Sequence, residues 1–585
     1  MPGIVTLISS KDVKDLSDKL KNLVNLISIP ESWNNQILLK LDGYSGYPVE
    51  VLNFKNWTII IEGYIYNLSK LELKNTLERK LALSWSPESF QEWVKTLDGE
   101  FWIQGVSNDL YFSINDTLSR LPIYSCMEKD RVVLSRGIAY IAALNSHVSF
   151  DKLGVAQFLW SGYPIGERTL FKNIKRLTGN SLITIKLTGK SLTINEYTPI
   201  CLNFDEKDNN LYSSKYYATA LAEKFTESCK NISHAPLGVI NLSLSGGQDS
   251  RAVAAGFYNQ KIPFRASTYL SYSGSSHSDA DISQKICSAL NIPWKKYILK
   301  EPISRDKETI LRIKNGMNYV GMSFIIDYLT QLSEELPPGS FYITGDGGDK
   351  ALTDLRDYGI IKNIETLVNK LDIRHCLLSS NVAENLTGLA LGEIKADIRR
   401  IIEKYPEQEL KNKGVHFVIY ERSRKAYFEG EDRTRSYFWA TTPFYSLDFF
   451  KYAMRIPDNY KAGYRLYSDF QKVLSSELAL IPDAGGMIVS SYGFYLKKNF
   501  QNWARSTSPI VKNTLRRLAG MPFQSLNLSD YEKSQILKSV ESNHVLSELF
   551  EFNHLKIFLS KCNKEQYQHL ETIISLVDNK ILPML

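Results

Sequence analysis

The sequence predicts two successive folds: an α+β layered domain over residues 1–200 and, over 205–585, an α/β domain with a doubly wound parallel sheet and a helical C-terminal part. Three observations carry this. Strand-like segments dominate the first part, with helical periodicity in only two stretches, and such segregation suits layered packing. From Lys215 onward strands and helices alternate, as they do when helices link parallel strands. Within that alternation, Leu237–Tyr258 reads LGVINLSLSGGQDSRAVAAGFY: a β-branched apolar run, a Gly-Gly turn and a helix start. The 585 residues also exceed what one core sustains.

In the first part, Gly3–Ser9, Gln36–Leu41, Thr58–Gly63, Phe101–Gly105, Leu110–Asn115, Arg131–Ser135 and Ser181–Lys186 read as strands separated by turn residues. Ser69–Leu81 and Pro87–Leu97 read as helices, the first with Ser69 and Glu72 at capping-box spacing. Cys201–Ser214 is polar and acidic and reads as a linker. In the second part, helices are expected over Lys215–Cys229, Asp279–Leu290 and Ser323–Leu336, with strands over Phe264–Tyr269, Trp294–Leu299 and Phe341–Thr344. Residues 503–585 are helical and amphipathic in places; Arg505, Lys512, Arg516 and Arg517 read as a solvated basic helix face.

Composition is that of a soluble globular chain, 43% hydrophobic and 23% charged. The balance of 70 basic against 63 acidic residues leaves +7, a mild bias that suits an anionic ligand such as ATP without calling for nucleic acid. The six cysteines, Cys126, Cys201, Cys229, Cys287, Cys376 and Cys562, form no CxxC pair, which argues against a zinc site or a disulfide scaffold and suits a reducing compartment. No apolar run reaches the ~18 residues of a membrane helix, and MPGIVTLISSKD has no basic n-region. A cytoplasmic protein with neither membrane nor nucleic-acid partner is expected; His277, His375 and His416 have no partner at metal-ligand spacing.

Three loops should lie at the carboxyl ends of the parallel strands. The first, Ser245, Gly246, Gly247, Gln248, Asp249 and Ser250, lets backbone N–H groups and a helix N-terminus face an anion. It lacks the Gly-Lys-Ser/Thr of a Walker loop and resembles the SGGxDS loop of ATP pyrophosphatases, which cleave ATP between the α and β phosphates. The second follows Thr268. The third, Thr344-Gly345-Asp346-Gly347-Gly348-Asp349, carries glycine-spaced acids suited to phosphate and metal.

Taken together, the chain resembles the asparagine synthetase family. In the first part, Glu62-Gly63-Tyr64-Ile65-Tyr66-Asn67 is similar to that family's NGEIYN, Leu97–Phe101 to LDGxF, and Asn115-Asp116 with Leu121–Tyr124 to RDxxGxxPLYY. Leu134–Ile138 stands where the family has SEIK, and Tyr163–Tyr197 follows its closing segment. In the second part, Thr344–Asp349 is similar to SGxGxDE, and Asp432-Arg433 with Thr442–Ser446 to DRxSMxxxxExRxPFLD. The resemblance implies a glutamine amidotransferase-like domain of the N-terminal-nucleophile type ahead of an adenylating ATP-pyrophosphatase domain. ATP would contact Leu244, Ser245, Gly246, Gly247, Asp249, Ser250, Thr268, Thr344 and Gly345. Mg2+ would be held by Asp249 and Asp349. Asp346 stands at the variable position, where it would serve as base toward an amine.

The departures are as informative. Pro2 stands where glutamine-hydrolysing members have the nucleophilic Cys, and Glu62-Gly63-Tyr64 alters the glutamine-binding NGE although Asp98 remains, so the first domain is expected to be glutaminase-inactive. Cys-lacking relatives of this kind include β-lactam synthetases and lasso-peptide cyclases. Lys350 replaces a Glu, Trp439–Thr442 replaces the Glu-x-Arg, and Ser491 stands at the family's catalytic lysine, leaving Lys497 and Lys498 as candidate cations. The expected function is an ATP-dependent amide-forming ligase. It would adenylate a small-molecule or peptide carboxylate for attack by an amine or ammonia, in a biosynthetic pathway, as a homodimer or with a pathway partner. Asparagine synthesis from aspartate and ammonia, or a non-catalytic nucleotide-binding paralogue, are the alternatives.

Overall fold

A computed structural model describes residues 2–582 apart from 14, 15, 17–23, 26–32, 34, 35, 83, 84, 146, 147, 190, 209–211, 273–276, 357, 484, 485, 490, 492, 498, 499 and 501–527. Two six-stranded antiparallel sheets occupy the first part, and a five-stranded parallel sheet the second.

Alternation along the strands builds the first part. On Gly3–Ser9, Ile4 and Ile8 enter a core shared with Ile60, Trp102 and Ile183 of the other sheet, while Val5 and Leu7 face the opposite way toward Ile138 and Val155. Thr6 donates from Oγ1 to Gln104 Oε1 across the two sheets at 2.6 Å. On Gly99–Val106, Trp102 and Val106 share that central core, and Phe101 and Ile103 pack on Leu73, Leu77, Phe90 and Val94 of the helices Lys70–Ala82 and Pro87–Val94. The capping box forms: Ser69 N–H reaches Glu72 Oε2 at 2.9 Å and Glu72 N–H reaches Ser69 Oγ at 3.3 Å.

Some elements carry no legible period. The helix Lys152–Ser161 is buried on every side from Gly154 onward, so no polar face marks it. The strand Ser191–Glu196 is an edge with mostly polar residues, hydrogen-bonded on one side to Leu182–Thr188. The segment after Cys201, expected to be a linker, is packed: Leu202 and Phe204 are buried, Leu202 N–H meets Tyr420 Oη at 2.9 Å, and Arg356 donates to the Phe204 carbonyl at 3.1 Å.

The parallel sheet runs in the order Trp294–Ile298, Arg265–Leu270, Ile240–Ser243, Phe341–Ile343, Trp439–Thr441. The chain therefore builds outward in one direction from Ile240–Ser243 and then returns to its other side. This is the topological switch at which carboxyl-end loops diverge and leave a crevice. Leu237 is 84% exposed and lies outside the strand.

Buried charges join the two parts. A π-helical run, Phe417–Tyr427, continues into the helix Phe428–Thr434. Glu429, Glu431 and Asp432 of that helix meet Arg176, Arg120 and Arg136 of the first part: Arg176 lies 3.0 Å from Glu429, Arg120 lies 3.3 Å from Glu431, and Arg136 pairs with Asp432. Lys314 adds bonds of 2.6 Å to Glu429 and 2.5 Å to Asp432. Among the described residues, no helix is long and apolar enough to cross a membrane.

Candidate active site

A cavity of about 920 Å³ opens at the switch point. The loop after Ile240–Ser243 forms its floor. The helix Gln248–Asn259 begins there with Gly247 as N-cap and no side chain capping it, so its first-turn N–H groups are left for a ligand. Ser250 Oγ accepts from Ser245 N–H at 3.1 Å and closes the turn. Buried Arg251 ties the helix start to the Leu478 carbonyl at 2.9 Å.

Of the nine expected nucleotide-contacting residues, Leu244, Ser245, Gly247, Asp249, Ser250, Thr268, Thr344 and Gly345 line the cavity. Gly246 is not in its wall; its N–H is turned to Asp279 Oδ1 at 3.1 Å. Thr268 uses its side chain to bond the Leu244 carbonyl at 2.6 Å, which sets the spacing of the two strand ends.

The third loop is pressed against the first. A β-carbon on Gly345 would stand 2.5 Å from Ser250 N, and one on Gly348 would stand 2.4 Å from Asp249 Oδ1. Only glycines allow this approach. It brings Asp249 and Asp349 together: burial, and then the charge of Asp349, push Asp249 up to about 7, while Tyr467 Oη donates to its carboxylate. Among the described residues no cage of three or more His, Cys, Asp or Glu side chains gathers. Mg2+ needs none, because it keeps waters and takes phosphate oxygens beside one or two carboxylates. Two crowded carboxylates beside an uncapped helix N-terminus fit that ion. One feature opposes it: Lys350 Nζ pairs with the Asp349 carboxylate and lies 5.0 Å over the Tyr427 ring.

Asp346 lines the cavity with its side chain exposed there, and the surrounding protein followed by the charge of Asp349 raises its pKa. Facing it is Arg433, 7% exposed, held by Asn318 Oδ1 at 2.8 Å, with no hydrogen-bond partner for Nε among the described residues. Arg422 and Lys425 of the π-helical run also line the cavity, and buried Lys425 donates to the Arg168 carbonyl at 2.6 Å. None of these three cations has a carboxylate within ion-pair distance among the described residues. The cavity is thus bipolar, with acids on the loops and cations on the helical wall. Lys497, a candidate cation from the sequence, is half-buried and does not line the cavity. Lys498 and the basic cluster Arg505, Lys512, Arg516 and Arg517 lie outside the described residues.

Sequence reasoning missed Arg422, Lys425, Tyr467 and Asp279. The signal for the first two was a pair of cations within a segment of helical spacing just ahead of Asp432-Arg433; nothing local marks the π-helical turn that aims them inward.

In the first part, Glu62, at the altered glutamine-binding motif, is bonded to its own neighbours. Glu62 accepts from Ile4 N–H at 3.0 Å, Tyr47 Oη at 2.5 Å and Arg136 at 2.6 Å. Arg136 also packs on Gly3, where a β-carbon would stand 2.3 Å from its Cγ. Asp98 caps the helix Leu447–Arg455 of the second part, bonding Ser446 Oγ at 2.6 Å and Leu447 N–H at 2.8 Å.

No protein-family model matches the sequence and no curated protein is similar to it. Among solved structures, the chain is similar to the allosteric regulatory enzyme of purine biosynthesis over 52% of its own length and 76% of that chain, at 9% identity and TM-score 0.20. It is similar to NMN synthetase from Francisella tularensis over 36% of its length and 95% of that chain, at 17% identity and TM-score 0.19. It is also similar to glutamine phosphoribosylpyrophosphate amidotransferase from B. subtilis in complex with ADP and GMP, over 52% and 77%, at 8% identity and TM-score 0.20.

Proposed function

We propose that the protein is an ATP-dependent carbon–nitrogen ligase of the asparagine synthetase type. It would activate a carboxylate as the acyl-adenylate, release pyrophosphate, and let an amine or ammonia displace AMP to form an amide. The observation that carries this reading is the apposition, at the switch point of the parallel sheet, of an uncapped helix N-terminus with the Asp249–Asp349 pair.

The residues divide the work. The N–H groups at the start of Gln248–Asn259 hold phosphate oxygens. Asp249 and Asp349 would hold Mg2+, which when bound offsets phosphate charge. Arg433, anchored by Asn318, orients the substrate carboxylate. Asp346, with its raised pKa, takes a proton from the attacking amine. Enclosure of the reacting groups in one cavity contributes positioning. The first domain is read as a glutaminase-inactive partner, a reading supported by the Glu62–Arg136 pair and by Asp98 serving as a helix cap.

A second reading, nucleotide binding without turnover, is favoured by the Lys350–Asp349 pair. ATP–pyrophosphate exchange across a panel of carboxylates separates the two. Exchange that vanishes in Asp249→Asn supports the ligase, AMP formation with aspartate and ammonia narrows it to asparagine synthesis, and no exchange with any carboxylate leaves the binder.

A further inference from the structure

The π-helical run Phe417–Tyr427 presents Arg422 to the cavity. Runs of this kind widen the helix and re-aim side chains, often at functional sites. Arg422 forms no ion pair with a carboxylate among the described residues; it lies 5.9 Å over the Tyr427 ring, and its electrostatic neighbours include Tyr163 and Asp349. Tyr163 follows the helix Lys152–Ser161 of the first domain. It is 3% exposed, lines the same cavity, and its hydroxyl has no hydrogen-bond partner among the described residues. A buried phenol without a partner is costly unless a ligand supplies one.

We propose that Arg422 and Tyr163 form an anion clamp opposite the Ser245–Ser250 loop, taking the terminal phosphates of a nucleoside triphosphate and then the departing pyrophosphate. The first domain thereby becomes part of the nucleotide site. The guanidinium offers paired donors to phosphate oxygens, a charge-assisted geometry that a lysine reproduces only in part. The phenol adds one O–H donor. With Ser491 at the position where a lysine was expected and Lys497 away from the cavity wall, the π-helical run brings Arg422 and Lys425 to this wall, beside Arg433 of the following helix. The clamp rests on the reading of the cavity as an ATP site.

Calorimetric titration of the full-length protein with inorganic pyrophosphate in Mg2+, and separately with adenosine, tests it. Arg422→Gln should weaken pyrophosphate binding on the order of tenfold to a hundredfold and Tyr163→Phe about threefold to tenfold. Both should leave adenosine affinity unchanged, and Arg422→Lys should recover part of the loss. Unaltered pyrophosphate affinity in both variants overturns the clamp while the ligase reading stands, and so does a parallel fall in adenosine affinity, which marks a merely structural role. A wild-type protein that binds neither ligand overturns both.

Discussion

Gly348 lies so close to Asp249 that a β-carbon at position 348 would stand 2.4 Å from the carboxylate Oδ1 and 2.9 Å from the Phe444 ring. Gly348→Ala must therefore push the two loops apart. The expected cost is about 1–3 kcal/mol of stability, together with loss of MgATP affinity. Thermal melts with and without MgATP check both; a variant with wild-type affinity would show that the loops need not touch.

Asp249 gives a pH-dependent prediction. Its folded-state pKa, raised to about 7 by burial and by Asp349, lies above that of the unfolded chain. The folded protein therefore binds this proton more tightly, and the stability so gained is lost as pH rises toward and through about 7. Asp249→Asn should melt above wild type at pH 8, with the difference narrowing toward pH 4. Mg2+ should raise the wild-type midpoint at pH 8 and leave the variant unmoved. A less stable variant at pH 8 would contradict this account.

Lys461 behaves in the opposite sense. It is 1% exposed, its amine has no hydrogen-bond partner among the described residues, and burial, followed by the nearby Arg356, lowers its pKa to about 7. The unfolded chain holds this proton to higher pH, so stability rises between about 7 and the ordinary lysine range. Lys461→Met should stabilise the protein at pH 7 by about 1–4 kcal/mol, and the gain should shrink by pH 10. Urea unfolding at the two pH values measures it.

Arg120 sits between Glu100 of its own domain and Glu431 of the other, all three buried. Arg120→Met takes the cation from Glu100 and leaves Glu431 to Arg435, 3.1 Å away, and should cost about 3–5 kcal/mol. Adding Glu100→Gln and Glu431→Gln should recover part of it. Equal stability of single and triple variants in urea unfolding would show that the charges are not coupled.

Glutamine should not be hydrolysed. With Arg136 against Gly3 and the Glu62 carboxylate accepting three hydrogen bonds from the protein, incubation with glutamine should release no glutamate above the rate of the protein-free control.

The chain shows where its physics was local. The Ser69–Glu72 box, the alternation on Gly3–Ser9 and the strand–turn–helix at Ser245–Ser250 are set by neighbours a few residues apart, and each was readable from spacing alone. Lys152–Ser161 was not, because a helix buried on every side shows no period. Gly246 follows the loop motif in sequence, yet Asp279, thirty-three residues on, claims its N–H. Arg422 and Lys425 owe their direction to a change of helical pitch that no residue type announces. Asp98 matched a ligand-binding motif and instead caps a helix some 350 residues away in sequence.

The seam between the halves has a consequence for how such a chain can change. Glu429, Glu431 and Asp432 draw part of their counter-charge from the other half, from Arg176, Arg120 and Arg136, beside Lys314 and Arg435 of their own half, and the same helix carries Arg433 into the cavity. Excising the first domain would take one buried cation from each of three acids on the element that shapes the cavity wall, leaving them to Lys314 and Arg435. A foreign first domain would have to bring cations to the same three places to keep this seam as it is.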